Sequence, residues 1–324
     1  RPDSTVIIND PMEGMPAALA GLRAGDVILE VDGQDFRKST SDKVSAALKG
    51  APGSKITLLV QRPGETKPRK IEFRRQKIQV SPVSYYGALP SGYGYIALTS
   101  FPNTAASEVK KAFLELKEKH HIKGLILDLR DNGGGLIDEA IKIVNFFVPA
   151  GEEVVTTRGR NARLQETIYK TTDKPLDTEI PLVVLINAQS ASSSEIVSGA
   201  LQDLDRAVVM GVKSYGKGLV QTTMQLPYDG TIKLTTAKYY IPSGRCIQRI
   251  DYHSLREGKG ATILPDSLTK VFHTRAGREV RDAGGILPDI TLPVDTLPTM
   301  VYYLRASNDA FDWITDYVRQ HRTI

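Results

Sequence analysis

The sequence has little cysteine and no long apolar run. Cys246 is the only cysteine among 324 residues, so no disulfide can form within the chain, and no cysteine-based zinc site or thiol pair is encoded. No uninterrupted apolar stretch approaches the roughly 20 residues that a membrane-spanning helix needs. The sequence therefore predicts a core that does not span a membrane, and no motif implies a metal or a cofactor.

Charge of one sign is not in large excess either. The chain has 42 basic and 37 acidic residues, and its formal net charge of +5 is spread over its whole length. This balance indicates neither nucleic-acid binding nor a polybasic membrane anchor. The sequence also begins without methionine and without a secretory signal, so we expect a fragment or a processed product.

Histidine is scarce and lies outside every catalytic motif. Neither H-E-x-x-H nor G-x-S-x-G occurs in the sequence. His253 or His273 could complete a Ser-His-Asp triad, and we keep this arrangement as an alternative. Asp203 lies on a predicted helix, and we interpret it as a structural ion-pair or capping residue rather than a catalytic acid.

A cluster of serines stands where a predicted strand meets a predicted helix. The apolar run Leu182–Ile186 is typical of a buried strand, and helical periodicity follows a short segment of small residues. One serine, Ser193 or Ser194, would be enough to cap the helix. Surplus hydroxyls at a helix N-terminus lie near free backbone N–H groups that can stabilise a developing oxyanion. The cluster favours a serine nucleophile, with simple capping as the alternative. Its members are Ser190, Ser192, Ser193 and Ser194.

A lysine between two glycines follows this helix. Glycines on both sides of Lys217 let the backbone approach another element closely. Residues 211–217 also fit the phosphate-binding pattern G-x-x-x-x-G-K, but the next residue carries no hydroxyl and residues 219–226 have the composition of a strand. Two interpretations remain, a turn lysine in water and a lysine that acts as a base for a serine.

These segments resemble the active site of the carboxyl-terminal processing proteases, also called tail-specific proteases, which are serine peptidases with a Ser–Lys pair. The family pattern S-A-S-A-S-E-I corresponds to SASSSEI at residues 190–196, and F-G-K-G-x-x-Q corresponds to YGKGLVQ at residues 215–221. The resemblance implies that Ser192 is the nucleophile, that Lys217 is the general base, and that Gln221 orients the lysine.

A triple glycine adds a second part to the same resemblance. By itself it would indicate a flexible turn, but DLRDNGGG at residues 128–135 matches the family pattern D-L-R-x-N-G-G-G. The resemblance implies an oxyanion hole formed by the amides of Gly135 and of Ser193, the residue after the nucleophile. Ser193 replaces an alanine of the family pattern and Tyr215 replaces a phenylalanine, and neither change removes a catalytic group.

The predicted fold is α/β, with a small module before a larger core. Residues 15–33, MPAALAGLRAGDVILEVDG, resemble the PDZ domains of bacterial proteases, which bind C-terminal peptides by strand addition. We expect this α+β module to occupy residues 1–80 and to lack its first strand and its carboxylate-binding loop. Residues 81–324 would form the protease core with C-terminal helices, a core that the resemblance identifies as crotonase/ClpP-like.

Several local predictions follow from sequence patterns alone. Alternating strand and helix patterns over residues 94–148 predict an α/β core. Residues 5–9 are predicted to form a strand, residues 80–90 to form a connector, and residues 231–241 to form two strands.

The implied activity is hydrolysis by a serine endopeptidase that cleaves proteins near their C-termini. A serine attacks only when a base takes its proton, and a lysine is a base only in its neutral form. No acidic residue lies between Val212 and Pro227, which suits that form. Two other functions stay open, a non-enzymatic PDZ adaptor with a protease-like core and a crotonase-like acyl-transfer enzyme.

The resemblance also implies partners and a compartment. The expected partners are protein or peptide substrates with exposed C-termini, nucleic acid is not expected, and a homo-oligomer is left open. The expected compartment is the bacterial cell envelope, periplasmic or extracytoplasmic.

Overall fold

The computed structural model describes residues 4–78, 80–160, 166–252, 262–263, 269–282, 284–293 and 298–321. The chain forms two compact units, one of Arg1–Val80 with Asp295–Ile324 and one of Ser81–Val294. The sequence prediction had assigned the C-terminal helices to the protease core. In the structure Thr315 and Arg319, from the last helix, instead lie directly beside Gly25 and Gly64 of the first unit.

The first unit is a small antiparallel sheet with short helices. Along the chain it contains α1 (Pro16–Leu19), β1 (Val27–Val31), β2 (Gln34–Asp35), α2 (Ser41–Leu48), β3 (Lys55–Gln61) and β4 (Arg69–Arg74), with the sheet order β2-β1-β3-β4. Strand β3 alternates because Ile56, Leu58 and Val60 face the core of this unit. The predicted strand at residues 5–9 is wrong, since only an isolated bridge joins Ile7 to Val27.

The second unit holds the larger set of elements. In chain order these are β5 (Val83–Ala88), β6 (Gly94–Leu98), α3 (Ala105–His120), β7 (Leu125–Asp128), α4 (Ile137–Asn145), β8 (Glu153–Gly159), β9 (Glu166–Lys170), β10 (Leu182–Ile186), α5 (Ser193–Asp203), β11 (Val208–Gly211), β12 (Leu219–Gln225), β13 (Thr231–Tyr240), β14 (Ile250–Asp251), β15 (Thr262–Ile263), β16 (Val271–His273), β17 (Glu279–Arg281) and β18 (Ile290–Thr291). Two helices of the first unit, Thr299–Ala306 and Asp309–Gln320, end the described chain.

A mostly parallel sheet forms the centre of the second unit. Its strand order is β18-β11-β10-β7-β6-β5, and only the β5–β6 pair is antiparallel. Helices α3, α4 and α5 pack against one another around an apolar core, in which the rings of Phe113 and Phe147 meet edge to face at 5.5 Å. Because parallel strands have their carboxyl ends at one edge of a sheet, the segments after β7 and β10 emerge side by side.

A second, antiparallel sheet has the order β12-β13-β8-β9. Strand β13 is continuous, so the two predicted strands at residues 231–241 are one. Strand β5 lies where the sequence predicted a connector. The reason is that β5 takes its hydrogen bonds from β6 at the edge of the sheet and exposes Tyr85, so it has no continuous apolar pattern.

Two negative findings apply to the residues that the structure describes. Within them, no helix has both the length and the apolar character that crossing a membrane requires. In the same residues, no three His, Cys, Asp or Glu side chains come together as metal ligands.

A buried ion pair fixes the C-terminal end of α5. Arg245 is fully buried, and its guanidinium donates to Asp203 Oδ1 at 2.8 Å and to Gln202 Oε1 at 2.7 Å. The second carboxylate oxygen of Asp203 accepts the Ser243 amide at 2.9 Å. The interpretation of Asp203 as a structural ion-pair residue is confirmed.

Replacing Asp203 by alanine should therefore destabilise the second unit strongly. Loss of the carboxylate leaves a buried guanidinium without its counter-charge, and such changes lower the free energy of unfolding by about 3–5 kcal/mol. Urea unfolding followed by circular dichroism measures the change. Glu166→Ala is the control, because it breaks the exposed Arg158–Glu166 pair and should cost less than about 1 kcal/mol. Equal unfolding midpoints for the two variants would contradict the prediction.

Candidate active site

The segments that follow β7 and β10 are joined by one asparagine. The carbonyl oxygen of Asn132 accepts hydrogen bonds from the Ala191 amide at 3.0 Å and from Ser194 Oγ at 2.8 Å. Its side-chain amide donates to the carbonyl of Leu98, at the end of β6, at 2.7 Å. Residues 132–135, which we call the glycine loop, are therefore held against the first turn of α5.

Ser192 occupies the sharp turn at the start of α5. It is the N-cap residue, and its backbone has φ 58° and ψ −116°, a conformation that residues other than glycine rarely adopt. The expectation that Ser193 or Ser194 caps the helix is wrong. Their hydroxyls instead bind the glycine loop, Ser193 Oγ donating to the Gly135 carbonyl at 3.0 Å and Ser194 Oγ to that of Asn132.

A buried carboxylate connects Ser192 to residues 216–218, which we call the lysine segment. Glu195 has no exposed surface, and its Oε2 accepts the amide of Ser192 at 2.8 Å and the amide of Lys217 at 2.9 Å. Its Oε1 accepts Ser214 Oγ at 2.6 Å and the Gly216 amide at 2.7 Å. Burial raises the pKa of Glu195, and these four hydrogen bonds oppose that rise because they stabilise the ionised form. One carboxylate therefore holds both predicted catalytic residues by their main chains.

The glycines beside Lys217 are required by close contacts. Gly216 has φ +87°, and a Cβ placed on it would lie 2.4 Å from the Cβ of Arg249. A Cβ on Gly218 would lie 2.7 Å from the main-chain nitrogen of Gln248. The prediction that these glycines permit a close backbone approach is confirmed.

Lys217 and Gln221 line one cavity of about 290 Å³, together with Gly133 and Ala191. Ala191 is the residue before Ser192, so the cavity adjoins the start of α5. In the described part of the chain, no hydrogen bond joins the side chains of Lys217 and Gln221. The structure therefore brings the two residues to one cavity.

The glycine loop supplies free amides beside Ser192. A Cβ on Gly134 would lie 2.7 Å from the Ser192 Cβ, and a Cβ on Gly135 would lie 2.4 Å from the Phe101 carbonyl oxygen. Within the described residues, the amides of Gly135 and Ser193 donate no hydrogen bond. Two unused donors next to the predicted nucleophile are what an oxyanion hole requires.

No pattern near Lys217 in the sequence predicted its contact with Glu195. No carboxylate lies near Lys217 along the chain, but the fold brings Glu195 to the main-chain amide of Lys217. The signal was present, because Ser192 and Glu195 form the S-x-x-E pattern of a capping box, in which the acid binds the N-cap amide.

His273 lies too far from Ser192 to complete a Ser-His-Asp triad with it. His273 lines a cavity with Asp203 and Leu204 at the C-terminal end of α5, whereas Ser192 lies at the N-terminal end. A helix of 11 residues is about 16 Å long, too far for a proton transfer between side chains. His253 lies outside the described residues.

Comparisons with known proteins agree with this picture. The family profile of peptidase family S41 matches residues 92–254, and that of a PDZ domain matches residues 7–62. A carboxy-terminal-processing protease of Bartonella bacilliformis is 40% identical over 253 residues, which are 76% of this chain and 57% of that protein. A chloroplastic C-terminal processing peptidase of Tetradesmus obliquus is 34% identical over 258 residues, which are 76% of this chain and 55% of that protein.

A solved structure is similar as well. The photosystem II D1 C-terminal processing protease is 30% identical, with a TM-score of 0.50, and the match covers 92% of this chain and 71% of that one. The predicted fold class, a PDZ module followed by an α/β protease core, is confirmed. The chain spans about half the length of the curated relatives that it matches.

Replacing Glu195 by glutamine should disrupt the link between α5 and the lysine segment. The side-chain amide would point its own hydrogens at backbone donors, which should lower the free energy of unfolding by about 2–4 kcal/mol. Glu139→Gln is the matched control. Glu139 is also a buried acid in a first helical turn, but among the described residues it accepts a single backbone amide, that of Ala106, and a glutamine oxygen can keep that bond. Its ion pair with Lys142 would be lost, but the Lys142 side chain is half exposed and can turn to solvent. Urea unfolding should show a smaller loss for Glu139→Gln, and equal losses would refute the prediction.

Proposed function

Because the chain belongs to peptidase family S41 and carries a PDZ domain before its peptidase region, we propose that it is a serine endopeptidase that cleaves proteins near their C-termini. The observation that carries this proposal is the shared carboxylate of Glu195. It holds the amides of Ser192 and Lys217 on one oxygen atom, and unused amide donors lie next to Ser192. These are the parts that acyl transfer through a serine needs.

The proposed reaction uses groups of this chain only. Ser192 Oγ attacks the carbonyl carbon of the scissile peptide bond while the neutral amine of Lys217 takes its proton. The amides of Gly135 and Ser193 stabilise the oxyanion, and the lysine then gives the proton to the leaving amine. A water molecule hydrolyses the acyl-enzyme by the same steps in reverse order, with Lys217 again as the base.

Gln221 has a positioning role in this proposal. It lies on the same cavity wall as Lys217, and an amide side chain can orient an amine without adding a charge. A carboxylate at this position would favour the protonated amine and oppose catalysis.

Substrate recognition is proposed for the first unit. It contains a cavity of about 510 Å³ with a mainly apolar lining that includes Met15, Leu48 and Phe73. Lys49 lines the same cavity, and its positive charge suits the carboxylate of a chain end. The cavity fits the apolar C-terminal segment of an unfolded protein.

The proposed compartment is the bacterial cell envelope, periplasmic or extracytoplasmic, and the proposed partners are proteins with exposed C-termini. The support is the family, whose members include the bacterial and the chloroplastic relatives described above. Cell fractionation tests the compartment, and a protein confined to the cytoplasm would contradict it. Analytical ultracentrifugation measures whether the protein forms a homo-oligomer.

Replacing Lys217 by arginine should abolish peptide hydrolysis. Arginine has a side chain of similar length, but its guanidinium stays protonated and cannot act as a base. We expect a loss of at least about 100-fold in kcat/KM, as for other removed general bases, and a similar or larger loss for Ser192→Ala. Fragment release from an unfolded protein with an apolar C-terminus is measured by mass spectrometry.

Two control variants accompany this test. Lys233→Arg makes the same change at an exposed position on β13, and His273→Ala removes the alternative base. Both should retain wild-type activity. Turnover by Lys217→Arg, or loss of activity in a folded His273→Ala variant, would rule out the Ser–Lys mechanism.

Placing a charge in the cavity of the first unit should weaken recognition of long substrates. Met15→Glu puts a carboxylate among apolar groups and next to the expected carboxylate of the substrate, so KM for an unfolded protein should rise about tenfold, equivalent to 1.4 kcal/mol. Cleavage of a short peptide ester should not change. Leu19→Glu is the control, because Leu19 is 75% exposed and does not line the cavity. Identical KM values for the two variants would show that this cavity does not bind the substrate.

A further inference from the structure

A tyrosine that no motif marked lies beside Lys217 and Gly218. The Tyr239 side chain is 3% exposed and its ring belongs to the core of the second unit. Its amide donates to the Gly218 carbonyl at 3.0 Å, so β13 runs beside the lysine segment. Its hydroxyl donates to the carbonyl oxygen of Lys217.

The hydroxyl of Tyr239 acts as a hydrogen-bond donor at this point. A phenol has one proton, and Tyr239 gives it to the Lys217 carbonyl. Burial raises the pKa of Tyr239 well above its usual range, and the phenol therefore stays protonated and remains a donor.

Tyr239 and Glu195 hold the main chain of Lys217 at its two polar groups. Glu195 accepts its amide, and Tyr239 donates to its carbonyl. Glu195 also accepts the amide of Ser192. These two buried groups therefore set the point from which the lysine side chain starts, relative to Ser192.

We propose that Tyr239 is a positioning residue of the site, whose hydroxyl fixes the Lys217 main chain so that the lysine amine is placed to take the proton of Ser192. This inference rests on the proposed peptidase function. Tyr239 gains and loses no proton in the reaction and acts only through Lys217. If the tyrosine served only to fill the core, its ring would suffice and the hydroxyl would be dispensable.

Tyr239→Phe separates these two roles, because it keeps the ring and removes one oxygen atom. Misplacement of reacting groups by about 1 Å can cost 100-fold in rate, so kcat should fall by about 10- to 100-fold. KM should not change, since the hydroxyl binds no part of the substrate. Activity is measured on a short peptide, at a temperature where circular dichroism shows wild type and variant equally folded.

Tyr240→Phe is the matched control. It removes the same atom from the next residue of β13, whose ring packs against the guanidinium of Arg158 at 4.7 Å instead of facing the site. This variant should keep the wild-type kcat and KM. Equal kcat values for Tyr239→Phe and Tyr240→Phe would overturn the proposal.

Hydrogen–deuterium exchange gives a reading that does not depend on activity. Loss of the Tyr239 hydroxyl should speed exchange in the peptide that contains Lys217 and Gly218, and Tyr240→Phe should leave it unchanged. If the wild type hydrolyses no peptide, the proposed function fails while exchange still tests the positioning role. Unchanged exchange in Tyr239→Phe overturns the inference, and so does faster exchange spread over the whole core, because that marks a general loss of stability.

Discussion

The buried carboxylate of Glu195 is the constraint on which the site depends. A helix N-terminus and a glycine-flanked turn have no reason to meet, since each presents backbone donors and donors do not bind one another. A carboxylate without exposed surface resolves this conflict because its two oxygens accept donors from both segments. Four hydrogen bonds oppose the cost of its desolvation, so loss of a partner would leave this buried carboxylate less well satisfied.

The sheet decides where this carboxylate can act. Parallel strands β6, β7 and β10 end at one edge, and Asn132 ties the three segments that leave them. The glycine loop can lie against α5 only because Gly134 and Gly135 have no Cβ, as the contacts at Ser192 and Phe101 demand. Helix α5 is then fixed at both ends, by Glu195 at its start and by the Asp203–Arg245 pair at its end. Because α5 is fixed at both ends and its N-cap residue has a strained backbone, the helix can hold a nucleophile in one position.

The apolar cavity and the candidate catalytic residues belong to different parts of the chain. The apolar cavity lies in the small antiparallel unit, and the serine, lysine and glycine loop lie in the α/β unit. Each unit has its own apolar core, so each can keep its site in shape independently. In the proposed function, a substrate binds to two surfaces with different requirements. The first is apolar and accepts varied side chains, and the second needs reacting groups placed within a fraction of an ångström.

The sequence by itself determined the α/β class, the order of most helices and strands, the small first module and the identity of the candidate residues, because short motifs and local periodicity carry that information. It missed β5, since an edge strand takes its order from its neighbour. It also misplaced the helix cap, since the strained turn at Ser192 depends on contacts with the glycine loop. Only the tertiary structure brought the Glu195 carboxylate to the Lys217 amide and the Tyr239 hydroxyl to the Lys217 carbonyl. These contacts join residues that are distant along the chain, and their energy comes from burial and from hydrogen bonds that no local pattern records.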